Sequence, residues 1–249
     1  MYSQEIDTLL LPTDHPIYDK LEKLCTDPTL FESIEQLENN GFKLENPPQT
    51  FRAWSIIVLT HPDLPGYVIK KYLNHPLDKT FELQNYINRI QGARLIAEYI
   101  ELKNLQHIIV PQKWLYPLPP IFNDPITGQL DYILICEKID ILPGGYWDSA
   151  VKYLYGYMSK SIMEELCLVL YDLCGCDAWP QNQPFTTSYQ IAFIDTEYLG
   201  QTPGDFLFPL LAYINPHLHG EAILLWNTLS NQAPPWILSR IQKNNCMNH

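Results

Sequence analysis

The sequence predicts an α+β fold of two lobes, in which a strand-rich N-terminal lobe precedes a reduced helical C-terminal lobe. Three observations lead to this prediction: β-rich runs concentrate before residue 139, helical periodicity dominates after residue 158, and prolines gather at the junctions between runs. We therefore expect an N-terminal lobe with a helical extension at 1–138 and a minimal C-terminal lobe at 139–249. A cleft between two such lobes is a common place for a ligand.

Length, composition and charge limit the class of protein. A chain of 249 residues with 46% hydrophobic residues can fill a sizeable core. The formal charge of −12, from 28 acidic and 16 basic side chains, would repel a nucleic-acid backbone, so we exclude nucleic acid as a primary partner.

The sequence also bears on location. No stretch reaches the roughly 20 apolar residues of a membrane span, and no basic leader precedes the first leucine run, Leu9–Leu11. We expect a protein of the cytoplasm, or one that enters a host cell as an effector without a cleaved signal peptide.

The first lobe begins with helical and hairpin signals. A helix is predicted over 30–39, because Gly41 offers a left-handed cap. The β-rich runs 51–60 and 67–73 are separated by HPDLPG, a spacing typical of an antiparallel hairpin.

A long helix and two further strands follow. Over 80–105 the residues Ile87, Ile90, Arg94, Ala97 and Glu101 recur at helical spacing, which predicts a helix of several turns. The runs 107–116 and 131–139 are strand-like and are joined by a proline-rich segment.

The second lobe is predicted to be helical. Residues 158–174 place Ile162, Leu166, Val169 and Leu173 on one side of a helix, and 218–230 and 235–243 also have helical patterns.

The six cysteines are scattered among apolar runs, without the spacing of a disulfide framework or of paired zinc knuckles. Buried reduced thiols are the favoured interpretation. Cys174 and Cys176 suggest a metal or redox alternative, but no second pair completes such a site.

The residues with the clearest chemistry lie between 173 and 200. Asp177, Pro180 and Asn182 form a DxxPxN pattern, and the runs QPF and QIAFID after it predict a hairpin in which 190–194 folds back beside 183–185. This hairpin brings Asn182 and Asp195 together. Their amide and carboxylate oxygens are suitable ligands for Mg²⁺ that also takes nucleotide phosphate oxygens.

These motifs carry a resemblance. DAWPQN resembles the catalytic loop of protein kinases and of aminoglycoside and choline kinases, and FIDTEYLG resembles their metal-binding segment. The chain is similar to an atypical, minimal member of the protein-kinase-like superfamily. The resemblance implies Asp177 as the catalytic carboxylate, Asn182 and Asp195 on Mg²⁺, and ATP as the nucleotide.

The resemblance also implies roles in the first lobe. In YVIKK it implies Lys70 on the α and β phosphates and Val68 over the adenine, since alternate residues of a strand share a face. Glu98, or next Glu101, would orient that lysine. Backbone groups near Cys136, Glu137 and Lys138 would bind the adenine edge.

The sequence departs from the family at several points. Residues 42–60 contain no glycine, so the usual backbone cradle for phosphates is missing or replaced. Gly175-Cys176 stand where His-Arg is usual, Trp179 replaces a cation, and Thr196-Glu197 replace Phe-Gly. A missing cation can cost several kcal/mol of transition-state stabilisation.

Plainer interpretations exist for each candidate. Asp177 and Asn182 can cap a turn after a helix, Lys70 can be a solvated strand lysine, and Glu98 can lie on a solvated helix face. His217 and His219 could form a metal pair, but a helix-start loop after Pro216 is the favoured setting.

The leading functional prediction is ATP- and Mg²⁺-dependent phosphate transfer to a protein hydroxyl or a small molecule. The second is a pseudokinase that uses the fold to bind a protein partner. The third is transfer of AMP instead of phosphate.

Overall fold

The computed structural model describes residues 6–27, 29–45, 56–72, 79–119, 131–143, 148–173, 180–197, 207–232 and 235–236. These parts of the chain have a mixed α and β structure with an antiparallel sheet and seven helices. The predicted combination of helices and strands is therefore confirmed, while the predicted kinase-like arrangement in two lobes stays a prediction.

The helices of the described ranges are α1 Tyr18–Leu24, α2 Ile34–Asn39, α3 Lys79–Lys103, α4 Asp148–Gly156, α5 Lys160–Asp172, α6 Leu207–Leu211 and α7 Pro216–Gln232. The strands are β1 Lys43–Leu44, β2 Ile56–Thr60, β3 Tyr67–Tyr72, β4 Ile108–Ile109, β5 Lys113–Pro117, β6 Tyr132–Glu137 and β7 Ile191–Ala192. None of these helices is long and apolar enough to span a membrane.

The chain divides into two compact units. The first contains Met1–Ile90 and Gln112–Lys138, and the second contains Gln91–Pro111 and Ile139–His249. The division after Lys138 falls where the sequence places the domain boundary, but 91–111, with the second half of α3, belongs to the second unit. The domain assignment 1–138 and 139–249 stays a prediction.

A five-stranded antiparallel sheet in the order β1-β2-β3-β6-β5 organises the first unit. The predicted hairpin is confirmed, because β2 pairs antiparallel with β3 in a register that places Val58 opposite Lys70. Gly66 closes the connection with φ +83°, a left-handed conformation that glycine adopts without strain.

The N-terminal segment covers one face and one edge of this sheet. Leu10 bridges to Leu115, and the N–H of Leu11 donates to the Leu115 carbonyl at 2.8 Å. Ile17 and Leu21 are buried in the apolar cluster that lines this face of the sheet. Such burial of apolar surface stabilises the unit by about 25 cal/mol per Å².

Helix α2 is shorter than predicted. It begins at Ile34, where Ser33 caps it by accepting a hydrogen bond from the Gln36 N–H, and Gly41 follows with φ +83° as predicted. The turn before it holds Asp27 and Thr29, whose N–H donates to the Asp27 carboxylate at 2.8 Å. That local bond favours a turn over helix between 27 and 33.

The long helix is confirmed as α3. In its second half, Arg94 and Glu101 are exposed, whereas Gly92, Ala93, Ile96 and Tyr99 are buried. The stripe that packs in this half therefore differs from the one that contains the two charged residues.

The second unit has its core around α5, with α7 and β4 packed against it. The predicted apolar side of α5 is confirmed, since Ile162, Leu166, Val169 and Leu173 are all buried. Helix α4, which the sequence did not predict, contributes Val151 and Tyr155 to the same core.

His217 and His219 lie at the start of α7, where the His217 N–H donates to the Asn215 side chain at 3.0 Å, so the helix-start setting is confirmed.

Cys25, Cys136 and Cys167 are buried free thiols as favoured. Cys174, Cys176 and Cys246 lie outside the described residues.

Candidate functional site

The hairpin after α5 forms as the sequence predicts. A 3-10 turn, Pro180–Asn182, leads into it, and Phe185 bridges antiparallel to Ile191. The Ala192 N–H donates to the Pro184 carbonyl at 2.9 Å, and the Ile194 N–H donates to the Asn182 carbonyl at 3.1 Å. The backbone of Asn182 is therefore paired with the residue that precedes Asp195.

The returning strand of this hairpin is also fixed from its other side. Strand β7 pairs in parallel with β4, in a register that places Ile108 opposite Ile191. The Ile191 N–H donates to the His107 carbonyl at 2.7 Å. The segment that leads to Asp195 is therefore held between the first strand of its own hairpin and β4.

Asn182 and Asp195 lie at the open end of this hairpin, and both are half-buried. Partial burial of a carboxylate requires compensating partners, which hydrogen-bond donors or a cation can provide. Asp177, the candidate catalytic carboxylate, lies outside the described residues, so its position relative to this pair stays a prediction.

Helix α4 supports the base of the hairpin. The hydroxyl of Tyr155, which is fully buried, donates to the Gln183 carbonyl at 2.9 Å. Burial raises the pKa of Tyr155 far above its ordinary value, so the hydroxyl stays protonated and remains a donor. This contact fixes the residue next to Asn182.

Helix α3 contacts the segment that follows Asp195. A Cβ on Gly92 would lie 1.9 Å from the Thr196 carbonyl oxygen, far inside any permitted contact. Thr196 is fully buried. Only glycine therefore allows α3 to approach the backbone here, and the sequence gives no direct sign of this role because Gly92 stands alone within a helical pattern.

In the first unit, Val68 and Lys70 lie on the face of the sheet that packs against α3. Val68 contacts the apolar cluster of Tyr72, Ile87 and Ile90, and alternation places Lys70 on the same side. Lys70 is half-buried. The predicted sharing of a face is confirmed, and the roles of both residues toward a nucleotide stay predictions.

The neighbouring lysine forms a buried ion cluster that the sequence did not predict. Lys71 Nζ lies 3.1 Å from Glu82 Oε2 and 2.6 Å from Asp131 Oδ1, and the Lys71 side chain is 2% exposed. Because the Lys71 ammonium contacts both carboxylates, this cluster links β3 to the first turn of α3 and to the residue before β6. Charged residues are rarely buried unless they are paired, so the sequence alone favours exposure for both lysines.

Strand β5 carries a second buried lysine that the sequence did not reveal. Lys113 pairs with Cys136, which pairs in turn with Val68, and residues directly opposite on adjacent strands share a face. Lys113 is 3% exposed. The face of the sheet that carries Val68 and Lys70 therefore carries another cation.

The backbone amides at the end of β6 are engaged within the first unit. The Glu137 N–H donates to the Gln112 carbonyl at 3.0 Å, and the Lys138 N–H donates to the Gly66 carbonyl at 2.8 Å. An adenine ring bound by these two amides would have to replace both bonds. Adenine binding at Glu137 and Lys138 would therefore use their carbonyl groups, or it would require both amides to leave their present partners.

Glu98 and Glu101 are exposed on the part of α3 that belongs to the second unit, whereas Lys70 lies in the first. The predicted pairing of Lys70 with either carboxylate stays a prediction.

The two candidate metal ligands, Asn182 and Asp195, are oxygen donors. Among the described residues, no group of three or more His, Cys, Asp or Glu side chains could hold a metal ion. Asn182 and Asp195 would instead supply one amide and one carboxylate oxygen, which suits Mg²⁺ because that ion commonly keeps waters and binds through one or two carboxylates plus phosphate.

Comparison with known proteins gives distant structural matches. No family model matches the sequence, and no curated protein matches it significantly. A MAP kinase from Leishmania major is similar in structure with a TM-score of 0.35 and 11% identity, over 77% of this chain and 59% of the kinase. A macrolide 2'-phosphotransferase from Brachybacterium faecium has a TM-score of 0.34 and 10% identity, over 79% of each chain.

Both similarities are distant. With TM-scores below 0.5, they carry no argument about the function of this chain. A function for this chain therefore rests on its own residues.

Proposed function

We propose that this protein transfers phosphate from ATP, with Mg²⁺, to a hydroxyl of a protein or a small molecule. One observation supports the proposal most directly: the hairpin pairs Asn182 with the residue before Asp195. Two residues with oxygen-bearing side chains, 13 positions apart in sequence, thereby have their backbones at the same end of a short β-ribbon. The DxxPxN pattern supplies Asp177 just before it.

Each residue has a distinct role in this proposal. Asn182 and Asp195 bind Mg²⁺, which when bound neutralises charge on the phosphate oxygens. Lys70 binds the phosphates, and Val68 contacts the adenine. Asp177 orients the acceptor hydroxyl and accepts its proton as that oxygen bonds to the γ-phosphorus, while the bond from this phosphorus to the β,γ-bridging oxygen breaks and ADP leaves.

The sheet face around Lys70 adds support. Residues 42–60 contain no glycine that could form a phosphate cradle. Lys113 lies on the same face of the sheet as Lys70, so that face carries two lysine side chains. The acceptor hydroxyl belongs either to a protein or to a small molecule.

We expect ATP with Mg²⁺ to raise the thermal midpoint of the wild-type protein and Asp195→Ala to remove that rise. Loss of the carboxylate removes a metal ligand while leaving the backbone pairing of the hairpin. At 100 times the Kd, ligand binding adds about 2.7 kcal/mol to the free energy of unfolding. The measurement is a thermal-shift titration with ATP, with and without Mg²⁺.

Asp14→Ala is the control for that titration, because Asp14 is an exposed carboxylate on the N-terminal segment. It should respond to ATP as wild type does. A wild-type midpoint that ATP and Mg²⁺ leave unchanged at millimolar concentration would count against the proposed function.

Asp177→Asn should behave differently from Asp195→Ala. The variant should keep the ATP-dependent rise and lose turnover, because the amide cannot accept the proton of the acceptor. Radiolabelled phosphate transfer, measured alongside the thermal shift, separates the two effects. Full activity of both variants would show the role assignments to be wrong.

A binding module without catalysis is the second candidate. It is favoured by the two engaged amides of Glu137 and Lys138, which are among the groups predicted to bind adenine. AMP transfer is distinguished by product mass, since phosphate and nucleotidyl groups add different masses. A wild-type protein that binds ATP but modifies no acceptor would favour the binding module.

A further inference from the structure

A partly buried hydrogen bond connects the end of helix α5 to helix α3. The hydroxyl of Tyr99 on α3 donates to Asp172 Oδ2, and Tyr99 is fully buried. Asp172 is the last residue of α5, five positions before Asp177 in sequence. This bond therefore fixes the point at which the chain leaves α5 toward the DAWPQN segment.

Other groups converge on the same carboxylate. The Trp236 N–H donates to Asp172 Oδ1 at 3.4 Å, and Lys103 Nζ lies 4.0 Å from Oδ2. The Trp236 ring contacts the Tyr99 ring with centroids 5.6 Å apart. Burial, and then the bond to Asp172, raises the pKa of Tyr99 well above its ordinary value, so the hydroxyl stays a donor at neutral pH.

A second contact lies on the same helix. At Gly92, α3 approaches the Thr196 carbonyl so closely that no Cβ fits. Positions 92 and 99 differ by seven residues, or about two turns, so they lie on one face of the helix about 10 Å apart. One helical segment therefore contacts both Asp172, the last residue of α5, and Thr196, the residue after Asp195.

We propose that residues 91–103 of α3 are a positioning element, which sets the candidate catalytic loop and the metal-binding segment relative to each other through Tyr99–Asp172 and Gly92–Thr196. Both contacts lie within the second unit. Tyr99, Asp172 and Gly92 are positioning residues, because they act through the loop and the segment. The expected effect on catalysis rests on the proposed phosphate transfer, whereas the expected effect on the position of the two segments does not.

Hydrogen–deuterium exchange tests the first contact without any nucleotide. Tyr99→Phe should raise the exchange rate of amides in 181–183 about tenfold, because a hydrogen bond to a charged carboxylate is lost while the ring remains. Asp172→Asn, which keeps one acceptor oxygen for the hydroxyl, should raise it about threefold. Tyr157→Phe is the control, since Tyr157 is 75% exposed, and it should change nothing.

The second contact is tested by Gly92→Ala. The added methyl should raise exchange in 193–197 about tenfold by displacing the Thr196 backbone. Gly220→Ala is the matched control, because Gly220 also lies in a helix but has no neighbouring atom within 4 Å of the position that a Cβ would occupy. It should leave exchange in 193–197 unchanged.

A positioning role predicts faster amide exchange only near the altered contact, whereas a general loss of stability predicts faster exchange in the core as well. Exchange over 162–169, in the core of α5, should stay at the wild-type rate in each variant. An equal increase over that range, or no increase in 181–183 and 193–197, would overturn the proposal. If the wild-type protein binds ATP, Tyr99→Phe should also lower kcat with little change in the KM for ATP.

The two proposals fail separately. A wild-type protein that shows no thermal shift with ATP contradicts the proposed function alone. Unchanged exchange in the variants contradicts the positioning element alone, whatever the nucleotide result.

Discussion

At the scale of single residues, two adjacent lysines on β3 have opposite environments. Lys70 is half-buried on the α3 face, whereas Lys71 is 2% exposed and surrounded by Glu82 and Asp131. Taking an ammonium out of water is costly, and close carboxylates offset that cost only while all partners are present. Lys71 therefore has a structural role, and Lys70 is the lysine that we assign to phosphate binding.

Lys71→Met should destabilise the protein by about 3–5 kcal/mol, because it removes one member of a buried ion pair and leaves the Glu82 carboxylate in place. Lys70→Met should cost about 1 kcal/mol or less but should abolish the ATP-dependent thermal shift. Urea denaturation at equilibrium measures the first effect, and the nucleotide titration measures the second.

The double variant Lys71→Met/Glu82→Leu is the control for that pair. It should recover part of the lost stability, since both members of the buried pair are then apolar. Lys71→Met with wild-type stability would contradict the structural assignment of Lys71.

At the scale of elements, the hairpin that carries Asn182 and Asp195 turns through a strained residue. Tyr189 has φ +60°, and its N–H donates to the Thr186 carbonyl at 3.0 Å in the turn. A left-handed conformation costs an L-residue with a Cβ roughly 1–2 kcal/mol, while glycine adopts it without that cost. The ring of Tyr189 is 66% exposed, so little burial offsets the strain.

Tyr189→Gly should therefore be more stable than Tyr189→Ala by about 1 kcal/mol. Both substitutions remove the ring, but only glycine removes the steric strain at Cβ, so their difference isolates the backbone contribution. Urea denaturation midpoints check the order. Equal stability of the two variants would mean that the turn relaxes out of the left-handed region.

At the scale of the whole molecule, burial of thiol and phenol groups predicts a loss of stability at high pH. Burial raises the pKa of Cys25 and of Cys167 from 9.0 to about 12. Burial likewise raises the pKa of Tyr86, Tyr99 and Tyr155 above the ordinary value of 10.0. The unfolded chain thus releases these protons at lower pH than the native protein does.

The sign follows from proton linkage. The contribution of the two thiols is fully present below pH 9, and it is lost as the pH rises toward about 12. Over that window the free energy of unfolding should fall by about 1.4 kcal/mol per pH unit for each thiol. Urea midpoints at pH 8, 9 and 10 measure the slope.

The variant Cys25→Ala/Cys167→Ala provides the comparison for that slope. It should lose stability less steeply between pH 9 and 10, because two of the titrating groups are absent. The same slope in both proteins would show that the thiols do not contribute.

Local signals in the amino-acid sequence were sufficient to predict several elements. The β2–β3 hairpin, helix α5 with its buried side, and the hairpin between Asn182 and Asp195 all follow from periodicity and turn residues within a few positions. The kinase-like roles of Lys70, Asp177, Asn182 and Asp195 were predicted from motif order, and they remain to be tested.

Which side chains are buried with which partners emerged only from the folded chain. Lys71 with Glu82 and Asp131, Tyr99 with Asp172, and Gly92 with Thr196 join residues 11 to 104 positions apart. The secondary-structure propensity of a segment does not predict such long-range contacts. The free energy of a buried charge or of a close backbone approach depends on the atoms that surround it after folding.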